Sequence, residues 1–158
     1  MRWTKENIDF DNVQRLLSKL AEHVKAFHSM TTAEITELLS NAEKCTYAPG
    51  TTILKEGNIG AAYMYIIIEG EAVVYKLGHD GEIELARLKA TDSFGEMALA
   101  DRGARSATVR ALTPCVLLRL GEPTLSGKPL LAMKIYRNIA KVLSERLRST
   151  DDLLAWRL

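Results

Sequence analysis

Cysteine is scarce in this chain. Cys45 and Cys115 stand far apart, with no Cys-x-x-Cys spacing and no histidine cluster beside either, so neither a disulfide framework nor a zinc site is indicated. Both read as small buried apolar thiols in a reducing cytoplasm. A charge excess of either sign is missing as well: 21 basic against 20 acidic residues leave +1. That removes the basic bias needed for nonspecific nucleic-acid or anionic-membrane binding. A small anionic ligand held by one local charge stays open. No run approaches the roughly 18 apolar residues that cross a bilayer, and the longest candidate, Tyr63 to Ile68, is strand-length. The start, Met1 to Glu6, is polar and has no signal-peptide core.

Catalytic constellations are missing too. The three histidines, His23, His28 and His79, lie in different segments, and only His79 falls among the β runs. A metal-dependent barrel enzyme needs several histidines and a carboxylate converging from strands, so that class is disfavoured. No Ser/His/Asp set stands in a recognisable context and no supported carboxylate pair suggests hydrolysis. The reading is a chain with no catalytic residues, no metal and no cofactor.

What is present is an ordinary globular composition, 47% apolar and 26% charged over 158 residues, enough for one domain, 1–158, with a helical appendage. Val13, Leu16, Leu17, Leu20, Val24 and Phe27 recur at helical spacing and predict an amphipathic helix from Asp11 to Phe27. Thr31-Thr32-Ala33-Glu34 is a capping-box pattern, opening a second helix that runs to about Lys44. After Pro49-Gly50 the texture becomes β, with runs Thr51–Lys55, Tyr63–Ile68, Ala72–Leu77, Glu82–Leu88, Ala107–Ala111 and Val116–Leu120 between glycine-rich turns. Such spacing predicts a sandwich or barrel. The alternation Glu82-Ile83-Glu84-Leu85 predicts a strand with one face on the core. Helices therefore occupy about 11–44, strands about 45–121, and helices again about 122–158. In the last segment Leu131, Ile135, Ile139, Leu143 and Leu147 form an i, i+4 stripe that Leu154 and Leu158 extend. So much apolar surface should lie on the barrel, on another copy of itself or on a ligand.

The chemistry concentrates in Phe94-Gly95-Glu96-Met97-Ala98-Leu99, followed by Gly103-Ala104-Arg105-Ser106-Ala107-Thr108. Between two strands, Glu96 to Ala100 has room for one or two helical turns, whose first N–H groups favour an anion. Arg105, brought back by the Gly103 loop, supplies a charge for a phosphate. A carboxylate beside a phosphate is repelled by it, so Glu96 needs another role, and accepting a hydrogen bond from a sugar hydroxyl is one. Phosphate plus ribose hydroxyl means a nucleotide. The plainer alternatives are Arg105 paired with Asp101, Glu96 capping the short helix, and Ser106 bonding only backbone.

At these residues the chain resembles the cyclic nucleotide-binding domain family, whose phosphate-binding cassette reads Phe-Gly-Glu-x-Ala-Leu and then Arg-(Ser/Ala/Thr)-Ala-Thr. Further likeness lies in Pro49-Gly50-Thr51-Thr52-Ile53, in Glu56-Gly57 and in Met64 to Glu71. The resemblance covers about residues 20–155. It implies an α+β fold: an antiparallel, jelly-roll-like β-roll (a double-stranded β-helix) with N-terminal helices and a long C-terminal helix. It implies that Glu96 accepts from the ribose 2′-OH and that Arg105 neutralises the cyclic phosphate. Gly95, Met97, Ala98, Ser106 and Ala107, through hydroxyl and backbone N–H groups, complete the cradle. Thr150 falls near a position that contacts adenine in the catabolite activator proteins, although Asp151 departs from the hydroxyl residue found beside it there. Leu153, Leu154 and Trp156 are candidate base caps. The expected ligand is cyclic AMP, with cyclic GMP less favoured, and the expected signal is a shift of the C-terminal helix. Homodimerisation through that helix and an unknown downstream protein are the expected partnerships. The few residues after the lid region leave no room for a helix-turn-helix, so neither direct nucleic-acid binding nor membrane attachment is expected. The alternative is a dimerisation or interaction module of the same fold that no longer binds nucleotide.

Overall fold

Leu17, Leu20 and Val24 recur at three- and four-residue intervals, and burying that stripe is what stabilises a first helix too short to persist alone. In the computed structural model, which describes residues 10–60 and 62–157, helix α1 spans Phe10–His23. The readings of Met1 to Glu6 and of Leu158 fall outside the described residues. The helix ends before the predicted Phe27. Val24 is extended (φ −83°, ψ 106°) and a 3-10 turn, Lys25–Phe27, follows. The cause is tertiary: Ala26 and Phe27 are buried, and the Asn138 amide donates to the carbonyls of Ala26 (2.9 Å) and His28 (2.8 Å).

Helix α2, Thr32–Leu39, opens on the predicted capping box. The Glu34 N–H donates to Thr31 Oγ1 (3.1 Å), and the Thr31 N–H donates to the Glu34 carboxylate (3.0 Å). It stops short of the expected Lys44, because Glu43–Tyr47 forms strand β1, paired antiparallel with a distant strand. The remaining strands are β2 (Thr52–Leu54), β3 (Tyr63–Glu69), β4 (Ala72–Gly78), β5 (Gly81–Leu88), β6 (Ser93–Phe94), β7 (Thr108–Ala111) and β8 (Cys115–Gly121). Between β6 and β7 lies the short helix α3, Met97–Asp101, and after β8 come α4 (Glu122–Ser126) and α5 (Pro129–Arg157). The strands form two antiparallel four-stranded sheets, ordered β1-β8-β3-β6 and β2-β7-β4-β5.

Strand β3 shows why its sequence is an unbroken apolar run. Tyr65 and Ile67 point into the space between the sheets, where they meet Ala72, Phe94, Val109 and Leu117. Met64 and Ile66, on the opposite face, pack with Leu118 and Leu120 against Leu20, Phe27, Ile35, Leu38, Ile135 and Ile139 from the helices. With both faces covered, alternation disappears. At the turn into β4, Gly70 has φ +95°, and a Cβ there would lie 2.3 Å from the Pro114 carbonyl oxygen.

Strand β5 departs from expectation. Its alternating apolar residues do not meet the core: Ile83 and Leu85 are each 55% exposed. The strand forms a sheet edge, and a bulge interrupts the alternation, since Val74 pairs with Ala86 but Tyr75 pairs with Glu84.

Helix α5 is two structures in one. Leu131, Ile135, Ile139 and Val142 are buried, and Lys134 and Lys128 bind Glu34 (2.6 Å) and Glu37 (3.1 Å) of α2. From Ser144 to Arg157 every residue is exposed. Among the described residues no helix is long and apolar enough to cross a membrane.

The hydrogen bond from Lys134, with that from the Thr31 backbone, holds the Glu34 carboxyl below its ordinary range. A carboxylate whose pKa is lowered by folding adds stability above its unfolded pKa and loses it as pH falls through the folded value. Stability should therefore decline between about pH 5 and 3, and the decline should be shallower in Glu34→Gln. Melting temperatures across that window check it; parallel pH profiles for the two proteins would refute the contribution.

Candidate functional site

The site is built around a glycine. Gly95 follows β6 with φ +79°, and a Cβ there would lie 2.8 Å from the Tyr63 carbonyl oxygen and 3.3 Å from Arg105 Nη1. Both the dihedral and the close approach of the Tyr63 carbonyl therefore require glycine. Beneath it, Phe94 stacks on Tyr65 with ring centroids 5.1 Å apart. Burial pushes the Tyr65 hydroxyl pKa up, against the opposing effect of the Arg119 guanidinium.

Arg105 is fixed through its main chain. Its N–H donates to the Asn58 carbonyl (3.0 Å), and its own carbonyl accepts from the Gly57 N–H (2.8 Å). Its half-buried guanidinium donates at longer range to the Gly95 carbonyl (3.4 Å) and the Tyr63 carbonyl (3.5 Å). Asp101 shapes the loop before it, accepting from the Gly103 N–H (2.8 Å). Arg102, left-handed at the end of α3, ion-pairs with Glu122 on the surface and does not line the cavity.

Glu96 precedes α3 but makes no side-chain capping bond. Its carboxylate, 17% exposed, instead lies 3.6 Å from Arg146 Nη2, whose other terminal nitrogen approaches Met97 Sδ at 3.6 Å. The Ala98 N–H, counted from sequence among the anion donors, donates here to the Gly95 carbonyl (3.2 Å).

All seven residues grouped by the sequence reading, Gly95, Glu96, Met97, Ala98, Arg105, Ser106 and Ala107, line one cavity of about 360 Å³. That is within the size range of small-molecule sites. Leu54, Val74, Ala86 and Leu88 add an apolar wall. The i, i+2 relation of Ala86 and Leu88 on a strand was the available signal for that wall. Arg146, which also lines the cavity, reads from sequence only as a flanking charge. Thr150, Leu153 and Leu154 do not line it; they lie on the exposed half of α5, as does Trp156. The Thr150 hydroxyl donates to the Arg146 carbonyl (2.9 Å). Among the described residues no cluster of three His, Cys, Asp or Glu side chains is placed to hold a metal.

The arrangement offers one fixed guanidinium for an anion, one carboxylate for a hydroxyl donor and an apolar wall for a ring. Residues 44–127 match the family model described as the cyclic nucleotide-binding domain. The cyclic AMP receptor protein of Thermus thermophilus is 31% identical over 134 residues, which make up 82% of this chain and 62% of that protein. The cAMP-dependent protein kinase regulatory subunit of Mycosarcoma maydis is 29% identical over 80% of this chain and 25% of its own length. The crystal structure of the Thermus thermophilus catabolite activator protein superposes with a TM-score of 0.74 at 30% identity, covering 83% of this chain and 63% of that one. The chain thus spans between a quarter and just under two thirds of these proteins.

Proposed function

The chain belongs to the cyclic nucleotide-binding domain family, and on that premise we propose that it takes cyclic AMP in preference to cyclic GMP and reports occupancy through α5. One observation carries the reading: a single cavity holds Arg105, pinned by Gly57 and Asn58, together with a Glu96 carboxylate that caps nothing. The cyclic phosphate pairs with Arg105, the ribose 2′-OH donates to Glu96, and the base lies along Val74, Ala86 and Leu88. The preference for cyclic AMP is supported by the relatives, a cyclic AMP receptor protein and a cAMP-dependent kinase regulatory subunit.

Ligand binding moves a helix only if the two helix positions differ in affinity for the ligand. α5 supplies such a difference, because Arg146 reaches the ribose-binding carboxylate from just beyond the buried half of the helix. Contacts of Thr150, Leu153 or Leu154 with the base require the exposed half to close over the cavity.

Calorimetric titration with both nucleotides tests the reading. Saturable heat is expected from each, with tighter binding of cyclic AMP. Glu96→Gln keeps an acceptor but loses its charge and should weaken cyclic AMP by about fivefold. No saturable heat from either nucleotide would sink the proposal and leave an interaction module of the same fold.

A further inference from the structure

We infer that Glu56 is a positioning residue for Arg105: its carboxylate takes the place of β7 beside β4 and thereby holds the loop to which the Arg105 main chain is fastened. Its effect on ligand affinity rests on the nucleotide reading above; its effect on the Arg105 main chain does not.

Strand β7 runs beside β4 only from Ala111 to Thr108, which pairs with Tyr75. Residues 105–107 turn away to line the cavity. β4 nevertheless continues to Gly78, and there the Leu77 N–H donates to the Glu56 carboxylate at 3.1 Å, where a β7 carbonyl is no longer at hand. A side chain thus occupies the edge that the departing strand gives up.

Glu56 is tied a second time through its main chain. Its N–H donates to Thr108 Oγ1 at 3.0 Å, on a side chain only 6% exposed. The two residues that follow hold Arg105 itself: the Gly57 N–H donates to its carbonyl (2.8 Å), and the Asn58 carbonyl accepts from its N–H (3.0 Å). Residues 56–58 therefore stitch both ends of the segment 105–108 to one loop, and the Glu56 side chain extends the stitch to β4.

This place requires an acceptor, not a charge. The Leu77 N–H is neutral, so a carboxamide oxygen can replace the carboxylate, whereas a methyl group leaves the loop to its main-chain bonds. Lys55, Gly57 and Asn58 are all exposed, and exposed backbone bonds with few buried contacts open most readily. A guanidinium presented from a main chain that opens loses part of the preorganisation that favours binding.

Hydrogen exchange of individual amides in the ligand-free chain is the first test. Glu56→Ala should speed exchange at Arg105 by about five- to tenfold. The Ala111 amide, which donates to the Thr51 carbonyl (2.9 Å) at the far end of β7, should keep its rate, and Glu56→Gln should restore slow exchange at Arg105. Equal acceleration at Arg105 and Ala111, which a general loss of stability would produce, or no acceleration at Arg105, would overturn the inference. The second test is a double-mutant cycle read by calorimetry with cyclic AMP. Glu56→Ala should weaken binding about three- to tenfold in the wild-type background, and by less than about twofold when Arg105 is already alanine, because the residue acts through Arg105. An equal loss in both backgrounds refutes that route. Absence of cyclic AMP binding in the wild type, with the exchange result as expected, refutes the nucleotide reading and leaves Glu56 as the anchor of Arg105.

Discussion

Replacing Arg105 with alanine is expected to weaken cyclic AMP binding by about ten- to a hundredfold while leaving the fold intact. A charge-assisted hydrogen bond to an anion contributes roughly 1.5–3 kcal/mol, and each 1.4 kcal/mol is about tenfold in affinity. Stability should barely change, because the contacts that pin this loop are main-chain ones, from Arg105 N–H to Asn58 and from Gly57 N–H to Arg105. The bonds from the guanidinium to the Gly95 and Tyr63 carbonyls are long, 3.4 and 3.5 Å. Arg105→Lys keeps the charge without the planar fork and should fall between wild type and alanine. Calorimetry and thermal unfolding on the same samples separate binding from folding. Unchanged affinity in Arg105→Ala would remove the phosphate from this side chain.

The second large effect is on stability. Asn138 is buried and its amide donates to two carbonyls, Ala26 at 2.9 Å and His28 at 2.8 Å. Alanine at this position strands both acceptors in the interface between α5 and the 3-10 turn. At about 1–3 kcal/mol for each unsatisfied buried group, the loss should be roughly 2–4 kcal/mol. Asn138→Asp should be worse, since a carboxylate would face two carbonyl oxygens without a donor. Urea midpoints report the difference directly, and a loss below about 0.5 kcal/mol for alanine would show that the carbonyls find other partners.

Which features were legible in the sequence follows from how local their causes are. The capping box at Thr31 and Glu34 depends on a few adjacent residues and could be located from them, whereas Gly70 and Gly95 mark turns by residue type although the contacts that require glycine there come from Pro114 and Tyr63. β1 could not: Glu43-Lys44-Cys45-Thr46-Tyr47 has little apolar signal, and its strand state comes from pairing with residues 115–119. β6, two residues long, exists only as a partner of Tyr65 and Ile66. The end of α1 at His23 has no glycine or proline to mark it, because the chain is turned there by burial of Phe27 and by an amide 110 residues away from His28. At the site, the Gly95–Glu96–Arg105 spacing was readable because one short segment carries all three. Arg146 was not, since its meaning depends on where a separate helix lies. The exposure of Ile83 and Leu85 shows the same limit, for alternation identifies a strand but cannot say whether anything covers it.

The anchoring of α5 by its first half also fixes a mechanical ratio. From Val142, the last buried residue of the helix, to Arg157 there are 15 residues of continuous helix, or about 22 Å at 1.5 Å per residue. A rigid rod of that length, tilted by about 10° at its base, would carry its tip through about 4 Å, most of the rise of one helical turn. A small readjustment of the buried side chains around Ile139 and Val142 would thereby be magnified into a displacement comparable to the size of a side chain. A helix pivoting on its buried half would have the exposed half, Ser144 to Arg157, as its long arm in solvent.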